Sequence, residues 1–413
     1  MFLLVFSSCA RVLAEDLRSD AKGIEPLVVL ARGGTDEQKA HAAGTLAKLA
    51  ANDDNKVAIS HAGGIKPLVE LARNGTTDQM TAAAVALANL AHNTENQAII
   101  AQAGGIMPLV ALTRDGTDDQ KTHAADALWS LAHNANNRLA IAQAGGITPL
   151  VALARGWTDD QRTHAAGALW GLAHNANNRV SIAQAGGITP LVALARDGTD
   201  DQKTIAAGAL GILAANVDNK VYIYRQAGGV VPLVALARNG TNDQRTYAAS
   251  ALGELAAGNA ENKVAIAKTG GIMPLVALAR DGTHEQKTKA AGALQNLASN
   301  ADNQVAIAQA GGIAPLMALA RDGDRRQSKK AVFALRRLAL NADNQVTISG
   351  NLLFHEPLSY LLRPSSRTQS LRSVQLPREH ATPKAEAAEA DASTKAAKKA
   401  KKAAKRAANG RWT

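Results

Sequence analysis

Apolar and polar positions follow a block of about 41 residues that recurs along most of the chain. Each block carries the segment Gly-Gly-Ile-x-Pro-Leu-Val-x-Leu-Ala-Arg, or a close variant, and then a stretch of alanine and leucine at helical spacing. A fixed period of this size indicates a stack of similar small units rather than one globular core. The prolines that mark successive blocks, 41 or 42 residues apart, are Pro26, Pro67, Pro108, Pro149, Pro190, Pro232, Pro274 and Pro315.

One block, beginning at Asn96, predicts two short helices. Asn96 is expected to cap a helix over 97–103, which ends at Gly104–Gly105 because glycine accepts the left-handed backbone that follows a helix. Pro108 then lies in the first turn of a second helix, where its missing N–H costs nothing. Apolar side chains on one side of that helix predict that it packs on a core, and it ends near Gly116.

A capping box opens a longer third helix of about 15 residues, whose alanines and leucines recur at helical spacing. In this box Thr117 is the cap and Gln120 follows three residues later, so that each side chain reaches the other's backbone N–H. The other boxes are Thr35–Gln38, Thr76–Gln79, Thr158–Gln161, Thr199–Gln202, Thr241–Gln244, Thr283–Gln286 and Asp324–Gln327.

These three elements closely resemble the armadillo repeat. The resemblance rests on the Asn of the first helix, the Gly-Gly-Ile-x-Pro-Leu-Val of the second and the Ala-Ala-x-Ala-Leu-x-x-Leu-Ala of the third, and it covers residues 24–363. It implies an all-α fold, a right-handed α-solenoid (superhelix) of three-helix units, with about seven full repeats and a partial capping repeat at each end. HEAT repeats have a similar length but two helices per unit, and the Gly-Gly-Ile break argues against them.

Three segments are expected: an N-terminal capping segment at 1–22, the armadillo solenoid at 23–363 and a basic tail at 364–413. The opening residues Met1–Phe6 favour a buried capping helix over a signal peptide, because a signal peptide would carry a basic start and a longer apolar stretch. Single-residue insertions at Tyr222–Gln226 and near Gly258 are expected to bulge a helix or lengthen a turn.

Composition narrows the functional classes. Cys9 is the only cysteine, which excludes a disulfide framework and a zinc cluster built on cysteine. No apolar run reaches the roughly 18 residues that span a bilayer. No catalytic constellation is visible, so we expect a protein that is not an enzyme and has no cofactor, no metal and no small-molecule substrate. The predicted localisation is cytoplasmic, with the nucleus as the alternative.

The resemblance places the third helices along a concave groove. In the nuclear-import adaptors of the family, that helix carries a Trp and, four residues later, an Asn that bonds the backbone of an extended peptide. Here only Asn89 and Asn296 occupy the Asn position among eight units, and none of the eight has Trp at the Trp position. Import-adaptor function is therefore not favoured.

Trp and His break the repetition in neighbouring units. Trp129 and Trp170 share one slot on the third helix, and His92, His133 and His174 share a slot one turn further along. The tryptophans either anchor a partner in the groove or fill space left by small neighbours, and the sequence leaves both interpretations open. Stacked histidines about 10 Å apart cannot share one zinc ion. The predicted groove residues are Asn89, His92, Trp129, Ser130, His133, Trp170, His174 and Asn296.

An arginine ends nearly every second helix. A cation at that end is favoured by the helix dipole, and we expect these arginines to pair with acids such as Asp118 or Asp200. A basic rail for an acidic partner is the alternative interpretation.

The tail holds nine of the eleven net positive charges, with thirteen Lys and Arg against four Asp and Glu from Arg363 onwards. Such a block is predicted to be disordered when free. It is compatible with a nuclear localisation signal read by an import receptor, weak contact with nucleic acid, an anionic membrane or a solvating tail. Its basic residues include Lys398, Lys399, Lys401, Lys402, Lys405 and Arg406.

The sequence thus predicts a scaffold or adaptor that binds partner proteins or extended peptides along the concave groove. One alternative is a substrate-binding arm associated with a ubiquitin ligase, because armadillo arrays occur beside U-box domains. The other is a nuclear or chromatin-associated adaptor that acts through its basic tail.

Overall fold

The structure is a computed structural model that describes residues 23–352, which form 24 helices and no strand. The capping segment 1–22, the tail 364–413 and residues 353–363 lie outside the described residues. The helices are α1 Ile24–Gly33, α2 Asp36–Leu49, α3 Asp53–His61, α4 Ile65–Asn74, α5 Thr77–Ala91, α6 Thr94–Gln102, α7 Ile106–Asp115, α8 Asp118–Leu131, α9 Ala135–Gln143, α10 Ile147–Leu153, α11 Asp159–Leu172, α12 Ala176–Gln184, α13 Ile188–Asp197, α14 Asp200–Leu213, α15 Val217–Arg225, α16 Val230–Asn239, α17 Asn242–Ala256, α18 Ala260–Lys268, α19 Ile272–Asp281, α20 His284–Leu297, α21 Ala301–Gln309, α22 Ile313–Asp322, α23 Arg325–Leu338 and α24 Ala342–Leu352.

The predicted three-helix unit is confirmed. A short first helix (α3, and every third helix to α24), a second helix (α1, and every third helix to α22) and a longer third helix (α2, and every third helix to α23) alternate along the described chain. Each third helix packs on the third helices before and after it and on the second helix of its own unit. The third helices therefore form one continuous layer.

Alanine on the third helices lets the helices of this layer approach closely. In α8, Ala124, Ala125, Ala127, Leu128 and Leu131 are completely buried, as their helical spacing predicts. Alanine also favours the helical state and adds no side-chain entropy cost. The low aromatic content of 3% is thus compatible with a continuous core.

The capping boxes are confirmed in all but one unit. Each cap residue accepts a bond from the backbone N–H three residues on, and each box glutamine accepts from the cap N–H, except at Thr158. At Thr158 only the first of these bonds forms. The preceding residue, Trp157, stands where the other units have glycine.

Trp157 explains the irregular connection between α10 and α11. In the regular units a Cβ on this glycine would collide with a carbonyl oxygen of the second helix, at 2.6 Å from Leu112 O for Gly116. Tryptophan at the slot is therefore incompatible with the regular turn. Helix α10 ends three residues early, at Leu153, and the Trp157 side chain is 97% exposed.

The prediction that Asn96 caps the first helix was wrong. Asn93 is the cap of α6, and its side chain accepts from the backbone N–H groups of Glu95 and Asn96. Asn96 lies inside the first turn and is buried, with Nδ2 donating to Lys56 O of the preceding unit and to Leu90 O. The capping signal was therefore assigned to the wrong asparagine of the pair.

Two ladders of side-chain amides join successive units. The asparagine equivalent to Asn96 donates to a first-helix carbonyl one unit earlier in every unit from α6 to α24, over 3.0–3.3 Å. The glutamine of each capping box from Gln79 onward donates Nε2 to the first residue of the preceding third helix; Gln202, for example, bonds Asp159 O at 3.1 Å. Buried amides that donate across each joint fix the register between units.

The paired glycines have two separate roles. Gly104 adopts a φ of +78°, in the left-handed region that follows a helix, as predicted. A Cβ on Gly105 would lie 2.8 Å from Ile100 Cγ2 and 3.0 Å from Val69 Cγ2 of the preceding unit. The second glycine is therefore required by packing between units, which the sequence reading did not identify.

The arginines at the ends of second helices bond other partners than those expected. Arg114 pairs with the adjacent Asp115 and Arg196 with Asp197, not with Asp118 or Asp200. Where the next residue is not aspartate, the guanidinium reaches the following unit instead, as in the bond from Arg155 to Gly186 O. The arginines thus have a structural role near the helix ends.

The insertion at Tyr222–Gln226 lengthens a connection, whereas the insertion near Gly258 lengthens a third helix by one residue. At the end of α15, the backbone N–H groups of Gln226 and Ala227 both bond Tyr222 O before Gly228 turns the chain. Helix α17 has 15 residues, one more than α14 or α20, and Gly258, with a φ of +71°, lies in the three-residue turn before α18. The stacking of α14, α17 and α20 continues past both insertions.

Candidate binding groove

The exposed side of the third-helix layer, here called the third-helix face, contains a recess of about 510 Å³. Side chains from four successive third helices, α11, α14, α17 and α20, and from the turns after α11 and α14 form it. Its lining residues are Trp170, His174, Gly208, Gly211, Ile212, Ala215, Tyr247, Ser250, Glu254 and Lys289.

The recess exists because α14 carries small residues where the preceding third helix, α11, carries large ones. Gly211 occupies the slot of Trp170, and Ala215 occupies the slot of His174. The rings of Trp170 and Tyr247, two units apart, meet beside this gap in an edge-to-face contact with centroids 5.2 Å from each other. Glu254 and Lys289 place one charge of each sign beside the aromatic walls.

Trp170, one of the predicted groove residues, is half-buried against the next unit. A Cβ on Gly208 would lie 2.8 Å from Trp170 Cε2, so the indole covers that glycine directly. Its Nε1 is buried and has no hydrogen-bond partner among the described residues. Trp170 thus combines a packing contact with a place in the recess wall.

Trp129 packs more closely still. A Cβ on Gly167 would lie 2.4 Å from Trp129 Cδ2, and the indole meets His164 edge-on at 6.0 Å between ring centroids. Ser130, beside it, is buried. These contacts favour the interpretation that Trp129 fills space between units, although its half-exposed edge still belongs to the third-helix face.

The histidine column is exposed, and each ring has one nitrogen fixed. Nδ1 lies 2.9 Å from Ala88 O in His92, 3.1 Å from Ser130 O in His133 and 3.1 Å from Trp170 O in His174. Because a carbonyl oxygen only accepts, Nδ1 must carry the proton in these bonds. In the neutral ring Nε2 is then an acceptor, which a backbone N–H of a bound segment can meet.

Asn89 and Asn296 are not free peptide ligands in this structure. Nδ2 of Asn89 donates to Ala47 O at 2.9 Å, and Nδ2 of Asn296 donates to Gly253 O at 3.0 Å. Both bonds run to the preceding third helix. The amide donors are therefore used between units, and this weakens the case for a peptide-bonding asparagine ladder.

Sequence reasoning missed an acidic residue among the histidines. Asp126 is largely buried, and its Oδ1 lies 3.4 Å from His164 Nδ1 and 3.9 Å from His92 Nε2. It also missed Tyr247, the second wall of the recess, because nothing in the sequence links residues two units apart. Only the curvature of the layer brings Tyr247 to Trp170.

Within residues 23–352, His, Cys, Asp and Glu side chains form no group of three or more that could ligate a metal ion. None of the described helices is both long and apolar enough to cross a membrane.

Comparison with known proteins agrees with this architecture. Residues 52–92 match the armadillo/beta-catenin-like repeat family. The chain is 32% identical to an engineered protein of known crystal structure, with a TM-score of 0.78 over 88% of this chain and 92% of the other. Computationally designed armadillo repeat proteins for modular peptide recognition share 25% identity over 56% of this chain and 99% of theirs, with a TM-score of 0.53.

A more distant likeness concerns the fold alone. A structure from work on the interaction between cadherin and beta-catenin is 17% identical, with a TM-score of 0.72 over 83% of this chain and 66% of the other. A comparison with curated proteins gave no match. The repeat match, the 32% identity over nearly the whole engineered protein and the three-helix units together show that the chain belongs to the armadillo-repeat family.

Proposed function

We propose that this protein is a non-enzymatic scaffold that binds an extended segment of a partner protein along the third-helix face. The recess beside Trp170 and Tyr247 carries this proposal, because it offers apolar and aromatic surface in a concave site with few polar groups. The designed relatives, made for modular peptide recognition, support the same use of the fold.

The dimensions of the face suit an extended chain. Adjacent helices pack about 10 Å apart, and an extended backbone advances about 3.3 Å per residue. Three residues of a bound segment therefore span one unit. In this arrangement an apolar side chain enters the recess over Gly211, while Nε2 of His174 accepts a backbone N–H beside it.

The recess also sets a preference for the bound side chain. Its floor is Gly211, Ile212 and Ala215, and its walls are the rings of Trp170 and Tyr247. A large aliphatic or aromatic side chain gains the most from this surface, because aromatic anchors bury much area at low entropic cost.

Filling the recess from within the protein tests the proposal. Ala215 is exposed and occupies a slot that holds histidine in the three preceding units, so Ala215→Trp should fold normally and block the recess. Ala51→Trp makes the same change in the equivalent slot after α2, away from the recess. A displayed library of random peptides, selected on the unmodified protein, supplies ligands whose affinities are then measured by fluorescence anisotropy.

We expect the selected peptides to share a large apolar residue and to bind Ala215→Trp about tenfold or more weakly, as the loss of one anchor implies. Ala51→Trp should leave affinity unchanged. Peptides that bind both variants equally well would show that the recess is not the site.

The remaining functional alternatives gain no support here. The tail, with its predicted import-receptor and nucleic-acid contacts, lies outside the described residues, so its role stays a prediction. The same holds for an association with a ubiquitin ligase.

A further inference from the structure

The last described third helix, α23, differs from the others in charge. Third helices elsewhere begin with acidic residues, such as Asp200–Asp201 in α14 and Glu285 in α20. Helix α23 begins with two arginines and contains no acid. Its cations are Arg325, Arg326, Lys329, Lys330, Arg336 and Arg337.

Cations gather near one exposed aromatic ring on α23, in the last described unit of the third-helix face. Lys330, Phe333 and Arg337 share one side of α23, at helical spacing. The guanidinium of Arg336 lies 5.9 Å from the centre of the Phe333 ring, and Phe333 is 40% exposed. Lys263 of α18 lies close enough to Arg337 to feel its charge. We call Lys263, Lys330, Phe333, Arg336 and Arg337 the basic cluster.

The basic cluster lacks a counter-charge. Among the described residues, none of its four cations forms an ion pair; Arg337 instead donates from Nη1 to Gln295 O. The acids at the starts of α20 and α23 are engaged elsewhere, Glu285 with Lys289 and Asp324 with His284. Burial and the neighbouring Arg337 lower the pKa of Lys263, as expected where like charges gather.

We propose that the basic cluster binds an acidic segment of a partner protein, with carboxylates on Lys330 and Arg336 and an apolar side chain against Phe333. The inference rests on the proposed function, since it uses the same third-helix face. The exposed ring and the confinement of the charge to one third helix favour a short acidic peptide over nucleic acid, whose phosphates would also meet the acidic starts of the other third helices.

Two peptides and two charge-matched variants test this proposal on the full chain. One labelled synthetic peptide carries four glutamates around a leucine, and its counterpart carries four glutamines. Lys330→Gln/Arg336→Gln removes two charges from the basic cluster and keeps the Arg337 bond. Arg325→Gln/Arg326→Gln removes two charges from the first turn of the same helix, centred about 11 Å along the helix axis from the first pair. The basic tail is identical in all of them.

We expect the glutamate peptide to bind and the glutamine peptide not to bind. Lys330→Gln/Arg336→Gln should weaken binding about fivefold to tenfold at low salt, the value of one or two exposed ion pairs, while Arg325→Gln/Arg326→Gln changes it less than twofold. Equal losses in the two variants would overturn the proposal, because the attraction would then follow net charge alone.

A single-stranded oligonucleotide provides the other decisive arm. If it binds more tightly than the glutamate peptide and loses the same affinity in Lys330→Gln/Arg336→Gln, the cluster is a site for nucleic acid and the proposal fails.

Ala215→Trp separates this proposal from the recess. The glutamate peptide should bind Ala215→Trp as it binds the unmodified protein, so the recess can fail as a site while the basic cluster stands.

Discussion

Replacing Gly167 by alanine tests whether Trp129 is held by packing or is free to meet a ligand. The structure places the missing Cβ 2.4 Å from Trp129 Cδ2, well inside van der Waals contact. Gly44 occupies the same slot in α2, and a Cβ there meets nothing within 4 Å. One substitution can therefore be made at two equivalent helical positions that differ in their surroundings.

The two sites should respond with different magnitudes. Alanine stabilises a helix interior by about 1 kcal/mol relative to glycine, so Gly44→Ala should raise the free energy of unfolding by about that amount. At Gly167 the same gain is opposed by an overpacking cost of about 1–3 kcal/mol. The net effect of Gly167→Ala should range from about zero to a loss of about 2 kcal/mol.

Removing the tryptophan should reverse the sign. In a Trp129→Ala background the obstacle is gone, and Gly167→Ala should stabilise by about 1 kcal/mol, like Gly44→Ala. The coupling between the two positions is then about 1–3 kcal/mol. Native-state hydrogen exchange of α8 and α11 amides measures it locally, which matters because long repeat arrays do not unfold in two states.

The reasoning fails on one result. If Gly167→Ala stabilises α8 and α11 as much as Gly44→Ala stabilises α2, with Trp129 in place, the indole is not held against the glycine. Trp129 would then be free to rotate towards a bound partner, and the groove-anchor interpretation would regain its support.

Two further predictions concern the joints of the solenoid. Asn178→Ala removes the bonds from Nδ2 to Arg138 O at 3.0 Å and to Leu172 O at 3.2 Å, and it should cost about 2 kcal/mol. The exposed Asn177→Ala should change stability by less than about 0.5 kcal/mol. Native-state hydrogen exchange of the α12 amides measures both effects locally. Trp157→Gly recreates the sequence Arg-Gly-Gly-Thr of residues 32–35, where the capping box is complete. It should lengthen α10 and slow hydrogen exchange of the Thr158 amide; an unchanged exchange rate would show that Trp157 is not what keeps the box open.

The repetition made the fold predictable because every unit is defined by the same contacts between residues close in sequence. The capping boxes, the left-handed first glycine and the proline in the first helical turn all depend on contacts within a few residues, and all were predicted. The asparagine was assigned wrongly for the same reason. Asn93 and Asn96 are both compatible with a local cap. Only the stacking of the units shows that Nδ2 of Asn96 donates to Lys56 O of the preceding unit.

The binding face was predictable only in part. Exposed His174 and half-buried Trp170 were identified from breaks in the repeat, and both line the recess. Tyr247 and Gly211 were not identified, because a tyrosine and a glycine on separate helices carry no signal of contact. The recess depends on the small side chains of α14 as much as on the aromatic side chains, Trp170 and Tyr247, of the neighbouring third helices.

The sequence by itself determined the unit: its three helices, its length, its caps and its buried alanine and leucine positions. These follow from periodicity and from hydrogen bonds that close within one turn. The tertiary structure alone decided how one unit sits on the next. The angle and spacing between units depend on buried amides such as Gln202 and on side chains such as Trp129 that fit a glycine one unit away. Side chains about 40 residues or more apart meet only after stacking, so the shape of the groove is a property of the assembled array.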